Sequence, residues 1–147
     1  MDRTAAREAN AAMIDRIASA PADPIAEGAF ALRVVRTRGR RTGEERSTPL
    51  GVVRTGDALY LVSPQAGRDW VLNLAAEPEC ETVAGGEATP YRAVVPSEAD
   101  AVAAVAAYLN AVQVPWALRA FPVAADAGES EISAHLREMA VLRLDPR

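Results

Sequence analysis

Arginine is the sole basic residue type in this 147-residue chain, and seven of its sixteen arginines (Arg33, Arg36, Arg38, Arg40, Arg41, Arg46 and Arg54) fall within 22 positions. A guanidinium grips phosphate or carboxylate with two parallel N–H groups, so such a cluster points to anion recognition. Its densest part is Thr37 to Leu50, Thr-Arg-Gly-Arg-Arg-Thr-Gly-Glu-Glu-Arg-Ser-Thr-Pro-Leu. Gly39 and Gly43 allow positive φ or close approach of a ligand there and leave backbone amides to point at an anion. A phosphate or carboxylate site fits this stretch, and so does a solvated hairpin whose arginines serve solubility. The net charge is −4. An acidic chain with one basic patch suits a small anionic ligand better than nucleic acid, which asks for a broadly basic face.

Few other residues offer chemistry. His135 is the single histidine and has no serine or cysteine obviously paired with it, which favours a surface or core role over catalysis. Cys80 is the single cysteine, so no disulfide framework or thiolate cluster arises; a reducing cytoplasm fits, and a buried strand position is the simplest role. No spacing of His, Cys, Asp and Glu resembles a metal-ligand set, the Gly-Lys-Ser/Thr ending of a P-loop is missing after Gly39, and no Gly-x-Gly-x-x-Gly follows a strand. A chain so poor in acids and bases at its site often leaves the chemistry to a cofactor.

The elements that must position the arginines follow from periodicity. Alternation over 29–38 and 45–54 predicts two strands flanking the basic turn, with Phe30, Leu32 and Val34 on one face with Arg36 and Arg38, and Arg46 and Thr48 on one face with Leu50 and Val52. Alanine-rich residues 4–19 predict a first helix, which Pro21 and Pro24 end; 1–28 thus read as helix and linker, and 29–147 as the remainder of a single domain. Further expectations are a strand over 58–63, a helix over 68–76 closed by Pro78, a hairpin of 80–84 and 88–95 around Gly85-Gly86, and a helix from Ser97 to about Val112 with Ser97 as N-cap. Residues 113–128 read as a loop or short helix lying over a pocket, followed by a brief helix over 130–137 and a closing strand over 139–144. Six short strands, mostly in hairpins, with two or three helices predict an α+β chain built on a small, closed or nearly closed antiparallel barrel. No run approaches the length of a membrane span or a signal peptide, so a soluble protein is expected.

The segment Thr37 to Leu50 resembles the Thr-x-Gly-Arg-Lys/Arg-Ser/Thr-Gly-x-x-Arg-x-x-Pro-Leu/Val motif of the deazaflavin (coenzyme F420)-dependent nitroreductase family. Leu61 to Ala76 is similar to that family's following strand, loop and Trp-x-x-Asn-Leu helix. The resemblance is good over roughly 29–95 and mainly one of pattern beyond. It implies a split β-barrel of the FMN-binding type, holding the 8-hydroxy-5-deazaflavin F420 and using its reduced form as hydride donor. Carried over by position, Arg40, Arg41, Thr42 and Gly43, with Arg46 beside them, would contact the phosphate and acidic tail of the cofactor. Thr48, Pro49 and Leu50, with Leu61, Val62 and Ser63, would line the ring; Trp70 and Asn73 match the family helix, where packing onto the barrel is the other role open to Trp70. The chain departs from many relatives in its shorter Pro64 to Arg68 loop and in Gly51, where some members have a tyrosine.

The expectation is therefore an F420-dependent reductase acting on an activated alkene, quinone or nitro compound. Tyr108, Trp116 and Phe121 would cover the substrate side, Tyr108 being also a candidate proton donor against a solvent proton. The alternatives are an FMN-dependent reductase of the same fold and a non-catalytic barrel that binds an anionic cofactor or lipid. A homodimer is open, since the N-terminal helix would serve equally as a lid, an oligomer contact or a lipid-facing segment.

Overall fold

The computed structural model describes residues 3–147. Six strands close into one antiparallel barrel in the order β1-β2-β3-β6-β5-β4. In chain order these are β1 (Phe30–Arg38), β2 (Glu45–Thr55), β3 (Ala58–Ser63), β4 (Glu79–Ala84), β5 (Glu87–Val94) and β6 (Ala140–Pro146). The helices are α1 (Arg3–Ser19), α2 (Asp69–Ala76), α3 (Glu98–Ala111), α4 (Pro115–Leu118) and α5 (Glu129–Ala134), with a 3-10 turn at Leu136–Glu138. The helix expected over 130–137 is thus broken at His135, whose φ of −108° ends α5. No helix among the described residues is long and apolar enough to cross a membrane.

Parts of β2, β3 and β6 are apolar on both faces, because the barrel has an inside to fill and helices cover their outside. Val35, Val52, Leu61, Cys80, Ala93, Leu142 and Leu144 fill the interior, and α2 packs Trp70, Val71 and Leu74 onto them at one end. The neighbouring residues Val53, Tyr60, Val62 and Val141 point outward beneath Ala101, Val102, Val105 and Leu109 of α3 and Ile132 of α5. Ser97 caps α3 as expected, its Oγ accepting from the amide of Asp100 at 3.2 Å, with Glu98 and Asp100 in the first turn where they favour the helix dipole. α1 attaches at its C-terminal end: Ile17 packs on Val34 and Val83, and Ala18 and Ala20 accept bonds from the amides of Gly86 and Gly85.

One strand is left partly uncovered. β2 pairs with β1 from Glu45 to Val53, but with β3 only from Val52 to Thr55. From Glu45 to Gly51 one edge of β2 therefore has no neighbouring strand, and Pro49, which has no N–H to offer a ladder, falls in this stretch. The opening in the barrel wall lies beside the basic turn.

Leu61 is fully buried at the centre of the interior. Leu61→Ala should lower unfolding stability by about 2–5 kcal/mol, the range for truncating a buried leucine. Urea unfolding measures it, and a change below 1 kcal/mol would contradict the packing described.

Candidate functional site

The basic turn is held by its own backbone. The Gly39 amide donates to Glu44 O and the Gly43 amide to Gly39 O, both at 2.8 Å; the Glu44 amide donates to Thr42 Oγ1 at 3.2 Å. Only Gly43 of the two glycines takes positive φ, at 73°. Gly39 is needed for a different reason: a Cβ there would meet Thr42 Oγ1 at 3.3 Å. The amides of Gly39 and Gly43, expected to face an anion, are thus spent on the turn, and those of Arg41 and Thr42 are the turn amides without a partner among the described residues.

A second element ties the turn down. Asn73 Oδ1 accepts from the Arg40 amide at 3.1 Å and from Arg40 Nη1 at 2.8 Å, and Asp69 accepts from Arg40 Nη2 at 3.2 Å. Trp70, Val71, Asn73 and Leu74 are the buried residues of α2, so the face that fills the barrel also carries the anchor for the turn.

The seven arginines divide by partner. Arg33 donates to Asp23 O, and Arg54 to Ile25 O and Gly56 O, so these two hold the linker rather than a ligand. Arg36 lies between Glu45 and Glu81 at 3.9 and 3.7 Å, and Arg38 donates to Gly43 O. Arg40, held by Asn73 and Asp69, joins Arg41 and Arg46, and with Gly39, Thr42, Ser47, Thr48, Asp69, Trp70 and Asn73 they line a basic pocket of about 390 Å³. Arg46 stands 3.8 Å from the exposed carboxylate of Glu44; Arg41 has no acidic partner among the described residues.

An apolar cavity of about 410 Å³ adjoins this pocket and shares Trp70 with it. Its walls include Pro49, Leu50 and Gly51 from the uncovered edge of β2, Val62, Pro64 and Arg68, Tyr108 from α3, Trp116 from α4, and Phe121. Tyr108 and Phe121 are in tilted ring contact, centroids 5.4 Å apart at 45°. Gly51 leaves room for Phe30 and Tyr108, since a Cβ there would lie 3.3 Å from the one ring and 3.6 Å from the other. Phe121 is 8% exposed and belongs to the core under α3, whereas Trp116 is 73% exposed at the cavity's edge. Burial pushes the Tyr108 hydroxyl above its ordinary pKa, with Arg68 pulling the other way, so at neutral pH it is a hydroxyl that can donate a hydrogen bond.

Of the positions expected from the sequence, Arg40, Arg41, Thr42, Arg46, Thr48, Trp70 and Asn73 meet in the basic pocket, and Pro49, Leu50, Val62, Tyr108, Trp116 and Phe121 in the apolar cavity. Three lie elsewhere. Gly43 faces an adjoining cleft of about 670 Å³, which shares Gly39 and Arg40 with the basic pocket and where Arg36, Arg38, Arg40 and Arg147 are balanced by Glu45, Glu77, Glu79 and Glu81. Leu61 points into the barrel, because it is one residue from Val62 on a strand and takes the opposite face. Ser63 is fully buried, its Oγ donating to Gln65 O at 2.6 Å and fixing the loop instead of a ligand.

Arg68, Phe30, Leu32 and Met13 line the apolar cavity without having been expected there. Met13 and Leu32, exposed at 38% and 52%, were visible as exposed-face candidates only once α1 and β1 were seen to flank the same opening. Cys80 is buried in the barrel with its thiol pushed up to about 11 by burial, which leaves it unreactive. His135 pairs with Glu138 and lines neither pocket.

A closed antiparallel barrel whose uncovered strand edge carries a basic pocket joined to an apolar cavity is a split-barrel-like fold. Three solved structures share the fold: a domain-swapped dimer (15% identity, 97% of this chain and 98% of that one, TM-score 0.56), the heme binding protein from Mycobacterium smegmatis (16%, 79% and 46%, 0.53) and General Stress Protein 26 from Bacillus anthracis str. Sterne (10%, 96% and 88%, 0.51). At these identities the likeness is one of fold alone. No curated protein matches the chain. The model of the F420H(2)-dependent quinone reductase family matches residues 12–126, and the chain belongs to that family. It is an F420-dependent oxidoreductase.

Asn73 is the single residue that bonds both the backbone and the side chain of Arg40. Asn73→Ala should cost about 1–3 kcal/mol of stability, the range for losing two part-buried hydrogen bonds of which one comes from a guanidinium, and should speed amide exchange across residues 39–44. Exchange rates equal to those of the unmodified chain would detach the turn from α2.

Proposed function

We propose that this chain reduces a quinone with hydride from reduced F420, and that other electron-poor molecules, activated alkenes or nitro compounds, are further acceptors. The observation that carries this reading is that the basic pocket and the apolar cavity share one wall, Trp70, so a ligand with an anionic tail and a flat ring can occupy both at once. Arg41, Thr42 and Arg46, with Arg40 held by Asn73, would bind the phosphate and acidic tail; Thr48, Pro49 and Leu50 would lie along the ring. The residues fit such a group. Trp70 Nε1 is buried with no acceptor among the described residues, and a buried donor without a partner is costly enough to call for one. Arg41 is likewise unpaired beside it.

When bound in its reduced form, F420 supplies the hydride. The chain's own part is to hold the tail by charge, exclude water from the apolar cavity, and keep the acceptor flat against the ring. Trp116 would cover the acceptor from α4, and the Tyr108 hydroxyl, which lines the same cavity, would donate to an acceptor oxygen.

Absorbance and fluorescence titration with F420 and FMN in parallel tests the cofactor. F420 should bind more tightly, and its affinity should fall with added salt. Arg41→Ala and Arg46→Ala should each weaken it by about 1–3 kcal/mol, the range for a lost charge-assisted hydrogen bond. Unchanged curves for both variants remove the tail from this pocket, and tighter FMN binding reassigns the chain to a flavin reductase. Tight F420 binding with no oxidation of the reduced form by a broad acceptor panel makes it a carrier.

Trp116→Ala should leave the melting temperature and F420 affinity nearly unchanged, because its side chain is largely exposed. The same change should alter the ratio of kcat/KM between small and extended quinones. A fall in melting temperature with an unaltered acceptor profile would make Trp116 a packing residue.

A further inference from the structure

The apolar cavity has one charged wall, Arg68. This residue precedes α2 in extended backbone, φ −65° and ψ 146°, and its side chain makes no capping bond. Asp69, the adjacent carboxylate, is turned the other way onto Arg40 at 3.2 Å. Among the described residues Arg68 therefore has no acidic partner, although it lies in a chain where acids outnumber bases, 20 to 16. Across the same cavity is the Tyr108 hydroxyl, close enough that Arg68 acts on its titration. Arg68 is exposed at the cavity's edge, where an acceptor lying in the cavity would displace water from beside it; a cation so placed stabilises negative charge that develops next to it.

We infer that Arg68 is a catalytic residue that binds the acceptor oxygen as it becomes an oxyanion, with the Tyr108 hydroxyl as a second donor. This rests on the quinone reductase reading above. Reduced F420, when bound, would supply the hydride. As the quinone accepts it, the electron pair of the conjugated carbonyl moves onto its oxygen, where Arg68 would meet the charge, and a proton from water, directly or through Tyr108 with water restoring its hydroxyl, completes the hydroquinone. The same two electrons oxidise the donor and reduce the acceptor. Charge builds on the acceptor oxygen only as the reaction proceeds, so an interaction with that charge lowers the barrier rather than merely tightening binding.

Arg68→Gln, Arg68→Lys and the unmodified chain are compared in two arms. In the first, steady-state reduction of 1,4-naphthoquinone is followed with F420 affinity measured alongside. Arg68→Gln should lower kcat/KM about 10- to 100-fold, the span of one lost charged hydrogen bond, with F420 affinity unchanged and with partial recovery in Arg68→Lys. The second arm needs no turnover: quenching of tryptophan fluorescence gives the dissociation constants of 1,4-naphthoquinone and of 2-hydroxy-1,4-naphthoquinone, which is an anion at neutral pH. The unmodified chain should prefer the anion, Arg68→Gln should lose that preference, and Arg68→Lys should keep part of it. An unmodified chain with no preference for the anion, or a glutamine variant that keeps both the preference and the rate, overturns the inference. If the unmodified chain prefers the anion but never reduces a quinone, the functional reading fails while the assignment of Arg68 as an oxyanion-binding residue stands.

Discussion

The carboxamide of Asn73 is the interaction on which the site depends. It joins two segments that the barrel alone would leave apart: the basic turn, which projects from the β1–β2 hairpin, and α2, which fills one end of the interior. With Asp69 it fixes Arg40, so one arginine is spent on architecture and the rest of the turn is oriented by it. The same helix presents Trp70 between the basic pocket and the apolar cavity and starts just after Arg68. Four residues within one and a half turns of helix therefore decide where the turn sits, what divides the two compartments, and which charge faces the apolar one. Their geometry is borrowed from core packing, since Leu74 and Val71 hold α2 in the barrel.

Charge is separated within this small region. Arg40, Arg41 and Arg46 face one compartment and Arg68 the other, while Arg33, Arg36 and Arg54 are neutralised or engaged elsewhere. A guanidinium with no partner beside a pocket has the field of its full charge available to a ligand, whereas one already bonded to a carboxylate offers little. The count of arginines in the sequence overstates the anion-binding capacity of the hairpin, and the partners decide how much remains.

Much of the fold was legible because strand periodicity, the glycine turns and the Ser97 cap act over a few residues each. The chain order of the strands, the helix over 68–76 and the placement of the basic turn followed from those signals, and the family motif singled out Trp70 and Asn73 within that helix. Part of what escaped the sequence is local: the bonds of Gly39 and Gly43 within their own turn and of Ser63 to Gln65 turn on backbone and rotamer geometry that residue types alone do not fix. The rest depends on pairs far apart in the chain, as when register and closure turn Leu61 inward and Val62 to the cavity. Arg68 escaped for the same reason: nothing local tells a solvated arginine at a helix start from one turned along a cavity whose other walls come from residues 13, 30, 49 and 108.

The bare edge of β2 beside Pro49 bears on how the protein behaves in a crowded solution. An unpaired strand edge is a template on which another chain can add a strand, the first step of many aggregation routes. Here the edge runs from Glu45 to Gly51, and a proline interrupts the row of donors that an incoming strand would need. The residue that lines the apolar cavity thus also guards the unpaired edge beside it. A gap in a barrel wall is tolerable when its backbone cannot be read by the wrong partner.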